Sequence, residues 1–436
     1  MAFWNSALYK YMLFGAVGII LGLKIIPPTI IEVFFVFFSL IIVIAAFKRD
    51  LVYVFSLLSY LLLIEPFSRT YLLDIPYLFL EYFMIMIMVI YQFNPIKKIR
   101  KNHVWLIFFI LVLLFEILNT SRTIDLRYTR SIIVNSFTLF SALILGAQSS
   151  ISNQGLVKLC SNLSYAGFLL TCIVGVAHFQ GDIKYSLESN FEASNGLAPV
   201  QLSFYLAVTL FITYFKYLEF KEKNSKLTCL AVMAAQITIM GLTFSRGGIY
   251  FFAAMFLLIN INAIRRLKFN PSYLLNFFFT GLVGYFVFYF VVDKTGGIIL
   301  ERYSEKGASK REEIIAAGIE MYKDNPIFGI GTGNFNMVAR EVKYFGEVSG
   351  AHNEFIRILA EHGFLAIIFY FLFFIYLLKY IYKYRSLNKF YIFSIIMFLA
   401  FNFGSIHNGL KLGLQSFVLF ISIAYTNSYY RLKKPL

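Results

Sequence analysis

Charge is scarce in this chain. Only 14% of its 436 residues are Asp, Glu, Lys or Arg, whereas a soluble domain carries about a quarter. Too few ions are present to cover a water-facing surface, which excludes an ordinary soluble globule. Cysteine is equally thin: Cys160, Cys172 and Cys229 are scattered on or beside expected spans. They have no metal-ligand spacing, so neither a disulfide framework nor a thiolate metal site is expected. Acids are outnumbered, 23 against 39 basic residues, for a formal net charge of +16. With 59% of the residues hydrophobic, that excess fits basic loops of a membrane protein, and no nucleic-acid partner is expected. No Asp-x-Asp or Glu-x-Asp stands in an expected outer loop. A divalent cation holding a phosphate would want such oxygens, so no metal and no cofactor are expected.

Long apolar runs fill the space that charge leaves. About 20 apolar residues cross a bilayer as a helix. The runs predict an all-α polytopic membrane protein of about 12–14 transmembrane helices, from 11–26 to 408–427. No small-residue cleavage site follows the first run, so it is expected to be a retained span. Basic residues cluster in alternate loops: Lys48-Arg49, Lys97 to Lys101, Lys221 to Lys226, Arg265 to Lys268, Lys379 to Lys389 and Arg431 to Lys434. With Lys10, Lys158 and Lys216 they hold 22 of the 39 basic residues. That side is expected to be cytoplasmic, with both termini on it. The expected organisation is a transmembrane bundle over 1–292, an outer loop over 293–363 and C-terminal spans with a tail over 364–436.

The loop from Asp293 to Gly363 is the longest polar stretch, and it is readable. Ser309-Lys-Arg-Glu312 has the spacing of a capping box. Ile314, Ile315, Gly318, Ile319 and Tyr322 follow at helical spacing. Asn325-Pro326 ends the helix, because the residue before proline avoids the α region. Arg311 then sits in the first turn, where it opposes the helix dipole unless it holds an anion near the free amides. Gly329-Ile-Gly331-Thr-Gly333-Asn334 follows a helix and lacks the lysine of a phosphate loop. It reads as a tight turn, with direct ligand contact as the alternative. His352-Asn353 precedes a predicted helix from Glu354 that stops at Gly363. His352 is expected at or near the N-cap, where the helix end disfavours the imidazolium. It is then a candidate base toward a hydroxyl or a structural histidine.

Further polar residues stand near expected outer span ends. Thr243-Phe-Ser-Arg246-Gly-Gly248 links two spans, and the Arg246 fork suits a diphosphate. Arg69, Arg122, Arg127 and Arg130 defy the positive-inside tendency; headgroup pairing and substrate binding are both open for them. Glu81 and Glu116 lie within or near the ends of spans. Each fits ion traffic or pairing with an Arg of a neighbouring helix.

Taken in order, Ser245-Arg246-Gly247, Arg311 heading its helix, Asn325-Pro-x-Phe-Gly-x-Gly-x-Gly-Asn-Phe335, and Ala351-His352-Asn353 with Glu361-x-Gly363 resemble the O-antigen ligase / O-antigen polymerase superfamily. Ser194-Asn195-Gly196 resembles a further element of it. The helix after Arg311 carries Ile315 where that family often has tryptophan. The resemblance implies a GT-C-like membrane glycosyltransferase whose large periplasmic loop contains short amphipathic helices, working at the bacterial inner membrane. It implies an undecaprenyl-diphosphate-linked oligosaccharide donor, membrane lipid as surroundings and a chain-length regulator protein as partner. It makes His352 the base or acceptor-positioning group, and Arg246 and Arg311 the diphosphate ligands. Asn353, Gly331, Gly333, Asn334, Asn195 and Arg122 are candidates to line the substrate site. Polymerase and ligase share donor and chemistry and differ in acceptor; composition leans to polymerase. A transporter or flippase would gather its polar residues at mid-bilayer rather than in one loop.

Overall fold

The computed structural model describes residues 6–70, 78–92, 103–180, 183–185, 192–266, 271–304, 311–341, 351–383, 388–411 and 413–433. The described residues contain seventeen α-helices and no strand. In chain order the first six are α1 (Ala7–Gly22), α2 (Pro28–Phe47), α3 (Leu51–Thr70), α4 (Phe79–Gln92), α5 (Val104–Leu118) and α6 (Leu126–Gln148). The next six are α7 (Asn153–Gln180), α8 (Pro199–Glu219), α9 (Lys223–Leu242), α10 (Arg246–Arg266), α11 (Pro271–Lys294) and α12 (Ile298–Ser304). The last five are α13 (Arg311–Asp324), α14 (Phe335–Glu341), α15 (Glu354–Tyr382), α16 (Lys389–Asn408) and α17 (Gly413–Lys433).

The expected spans, fourteen at the upper count, each fall on one of the long helices, α1 to α11 and α15 to α17. Among the described residues, seven helices are long and apolar enough to cross a membrane, and four more are apolar but shorter. The chain is an all-α polytopic membrane protein. Local chemistry explains the helix starts. The Ser6 hydroxyl accepts the Tyr9 amide, Asp125 the Tyr128 amide, and Asn388 the Phe390 amide, each satisfying a free donor of a first turn. Proline opens α2 and α8, where its missing N–H costs nothing.

The helices group into two compact units. The first comprises 1–77 and 153–306, built around α7, which α1, α3 and α8 pack against. Gly15, Gly18 and Gly22 lie along one stripe of α1, and a Cβ on Gly18 would stand 2.5 Å from the Leu169 carbonyl oxygen. Small residues in such a stripe let two membrane helices approach closely. Lys216, counted above with the basic loops, is instead buried at the end of α8. Its ammonium stands 4.0 Å from the Tyr165 ring centre and donates to the Tyr11 hydroxyl at 3.3 Å.

The second unit comprises 78–152 and 307–436. Here α15 packs along α5, α17 along α6 and α16, and α13 across α15. The amphipathic α13, described from Arg311 onward, ends before Pro326, as predicted. Its buried stripe is Ile314, Ala317, Gly318 and Met321, while Ile315 and Ile319 are about one-third exposed, at 36% and 38%. Spacing by three, four and seven fixes one face, and 315 and 319 fall about 100° off it. Ser309, the expected capping residue, lies outside the described residues, as do parts of the basic loops.

Gly363 interrupts α15 with φ 74° and ψ −164°, the expected stop. The chain resumes helically at once because the Phe364 amide is taken by the Pro326 carbonyl at 2.8 Å. Gly329, at φ 68°, is seated against the same kink: a Cβ there would lie 2.2 Å from the Glu361 carbonyl carbon. Both positive φ and contact distance demand glycine. Gly329→Ala should therefore destabilise the protein by ~2–4 kcal/mol, from left-handed strain plus overpacking. Gly281→Ala, inside α11 with nothing within 4 Å of the new methyl, should leave the thermal midpoint of the detergent-solubilised protein unchanged or slightly raised, because alanine favours a helix interior.

Candidate functional site

The second unit carries a buried ionic cluster. Arg357, one turn into α15, meets three carboxylates. Its Nη2 donates to Glu116 Oε1 at 2.6 Å and to Glu354 Oε1 at 2.5 Å, and Nη1 donates to Glu361 Oε2 at 2.9 Å. Arg357 is 5% exposed and none of the three acids exceeds 2%. The spacing Glu354–Arg357–Glu361 places all three on one face of α15, at i, i+3 and i+7. Glu116 arrives from α5, so of its two open readings the structure selects pairing with an arginine. Two of these acids reach further. Glu354 Oε2 accepts the Leu410 amide at 3.0 Å, and Glu361 Oε1 accepts the Phe335 amide at 3.2 Å.

The glycine-rich segment 326–335 is clamped between the end of α5 and α15. The Ile330 and Gly331 amides donate to the Ala360 and Glu361 carbonyls. The Thr332 hydroxyl donates to the Glu116 carbonyl at 2.6 Å, and the Thr332 carbonyl accepts from the Thr123 and Thr129 hydroxyls. Asn334 is 1% exposed; its amide donates to the Arg122 and Ile330 carbonyls and its oxygen accepts the Ile124 amide, all at 2.8 Å. Gly331 and Gly333 sit flush against Arg122 and Thr129. In the described conformation these residues hold the backbone together rather than face a cavity. Arg122 is exposed, with its guanidinium 5.6 Å from the Phe328 ring centre.

His352 lies at the turn into α15 with φ 47°. A left-handed non-glycine residue costs about 1–2 kcal/mol, a strain that recurs at functional sites. The N-cap expected near His352 is Asn353, whose Oδ1 accepts the Phe355 and Ile356 amides at 3.0 and 3.4 Å. A short amide reaches those donors where an imidazole does not. His352 is held down to about 4, first by burial and then by the charges of Lys411 and Arg311. His352 shares one partly enclosed pocket with Tyr128, Asn353, Glu354, Arg357 and Lys411. Arg311 at the head of α13 contacts His407 of α16: Nη1 lies 2.5 Å from Nδ1, and Nη2 donates to the carbonyl at 3.4 Å. Since guanidinium only donates, that His407 nitrogen is an unprotonated acceptor.

Arg246 and Asn195 belong to the first unit. Arg246 heads α10, half-buried, after a turn whose left-handed residue is Phe244 at φ 59°. Asn195, also left-handed, donates to the Ile173 carbonyl at 3.3 Å. Among the described residues no group of three His, Cys, Asp or Glu has a metal-holding arrangement. Sequence reasoning missed Arg357 as a central group. The acid–base–acid spacing on α15 was the available signal, but the third acid, Glu116, is 241 residues away in sequence.

Residues 230–371 match the protein-family model described as O-antigen ligase. The matched stretch holds Arg246, Arg311, the 326–335 segment, His352, Asn353 and the three α15 members of the ionic cluster. The resemblance read from the motifs is borne out over that stretch. No curated protein matches the sequence.

Arg357→Met leaves three carboxylates buried without their cation and should cost ~3–5 kcal/mol. Glu116→Gln keeps two acids on Arg357 and should cost clearly less. Thermal midpoints of the two purified variants, compared side by side, check the order.

Proposed function

We propose that this protein transfers a glycan from a polyprenyl diphosphate carrier to a sugar hydroxyl, as an O-antigen polymerase acting on a second lipid-linked repeat unit at the periplasmic face. The single observation that supports this most is His352: a neutral, strained imidazole in a basic pocket, inside the segment that matches the O-antigen ligase family. In the proposed reaction the acceptor oxygen attacks the anomeric carbon as its proton passes to His352. The bond from that carbon to the diphosphate oxygen breaks, and the leaving group keeps the electron pair. Attack from the opposite face inverts the configuration. Arg311 stabilises the charge that builds on the leaving diphosphate. Arg246 carries the same role on the strength of its sequence motif alone.

An imidazole held near 4 is a weak base. A bound diphosphate would offset the positive charge on Arg311 and Lys411, two of the causes of that depression, and so strengthen His352 as a base when the donor is in place. Asn353, Asn334, Gly331 and Gly333 support the site by fixing backbone, as cap and clamp. The family's description as O-antigen ligase favours a second reading, a ligase that moves the glycan to lipid A core.

Polysaccharide profiles of a deletion strain separate these readings. With the gene absent, core bearing single repeat units means polymerase, and bare core with long chains on the carrier means ligase. His352→Ala at matched expression should reproduce the deletion profile; a wild-type profile would sink the proposed role. His352→Gly, which removes the side chain and relieves the positive φ, should abolish transfer without lowering the thermal midpoint. The base must be neutral, so activity falls as pH drops through its pKa. The acid limb of kcat/KM for the donor should lie near 4, and that of kcat should lie higher.

A further inference from the structure

Lys411 belongs to no motif discussed above and lies beyond the segment that matches the family model. Its backbone turn is held by three hydrogen bonds. Gly409 ends α16 with φ 68°. The Leu410 amide donates to Glu354 Oε2, the Lys411 amide donates to Gln415 Oε1 at 3.1 Å, and Gln415 Nε2 donates to the Gly409 carbonyl at 2.9 Å. Gln415 is fully buried. The turn is therefore built to present one side chain, and that side chain lines the pocket of His352. Among the described residues the Lys411 ammonium makes no hydrogen bond or ion pair; it lies 5.8 Å from the centre of the Tyr128 ring. The nearby Glu354 already serves Arg357 and the Leu410 amide. A fixed cation left facing a pocket that already contains a neutral histidine is poorly placed for stability alone. It is well placed for an anion, and an ammonium is a compact point charge that takes a single phosphate oxygen.

We propose that Lys411 is a further donor-binding residue of this site, whose ammonium holds a phosphate oxygen of the carrier's diphosphate. The proposal rests on the glycan-transfer reading above. It assigns Lys411 to the leaving group rather than to the acceptor sugar. A competing role is purely structural: Lys411 offsets the excess negative charge of the one-arginine, three-carboxylate cluster.

Nanodisc-embedded wild type, Lys411→Met and Lys411→Arg are compared for binding of undecaprenyl diphosphate, undecaprenyl monophosphate and undecaprenol, alongside thermal midpoints. Wild type should prefer the diphosphate. Lys411→Met should bind it at least ten-fold more weakly with an unchanged midpoint, Lys411→Arg should recover most of the loss, and the donor KM should rise while the acceptor KM stays. Wild-type affinity in Lys411→Met overturns the assignment, and so does a weakened affinity matched by a fallen midpoint, which is the structural role. If wild type itself binds the three lipids alike, the glycan-transfer reading fails, a result distinct from either.

Discussion

Arg357 and its three carboxylates are the contact on which the second unit is organised. A guanidinium buried among apolar helices is costly unless its donors are filled, and here each side of the fork has its own acid. Because the acids come from α5 and from two turns of α15, filling the fork fixes the two helices against each other. Two of the acids extend the constraint outward. Glu361 reaches the start of α14 and Glu354 reaches the turn between α16 and α17. One buried side chain thereby sets the position of the glycine-rich segment, the His352 turn and the Lys411 turn together. The same interaction makes the arrangement unforgiving at its centre, since removing Arg357 strands three buried carboxylates.

Above this acidic floor the pocket is basic. His352, Lys411 and, beside them, Arg311 are carried by different elements, and each is placed by a different local device. Asn353 caps α15 and leaves His352 in a left-handed turn. Gln415 and Glu354 pin the backbone around Lys411. Arg311 heads a short helix whose apolar stripe is buried with Phe335, Ala351 and Ala360. Concentrating positive charge on rigid supports around a neutral imidazole is the arrangement that stabilises a developing anion without reorganisation. Asn334, Gly331 and Gly333 contribute at one remove: their bonds and close contacts hold the 326–335 segment in register with α15.

Much of the local structure was legible in the residues. Asn325-Pro326 marked the end of α13 and Gly363 the break in α15, because proline and left-handed glycine act on their own backbone. The long apolar runs marked every long helix, because a span is a matter of length and composition. The α13 face was half legible: isoleucines at 315 and 319 are apolar, but which stripe is buried depends on what α13 packs against. The cap at 353 was displaced by one residue, since histidine and asparagine stand side by side and only reach decides between them. The clamp role of Asn334 was hidden, because its three partners lie at Arg122, Ile124 and Ile330.

The sequence by itself determined the membrane class, the helices, their stops and the candidate histidine and arginines, since these follow from hydropathy, spacing and backbone chemistry within a few residues. Tertiary structure decided that 78–152 joins 307–436 in one compact unit, that Glu116 answers Arg357, and that Lys411 faces His352. Those pairings join residues up to 241 positions apart. Charge attraction in a medium of low dielectric selects such partners by distance in space, which the order of residues along the chain does not specify.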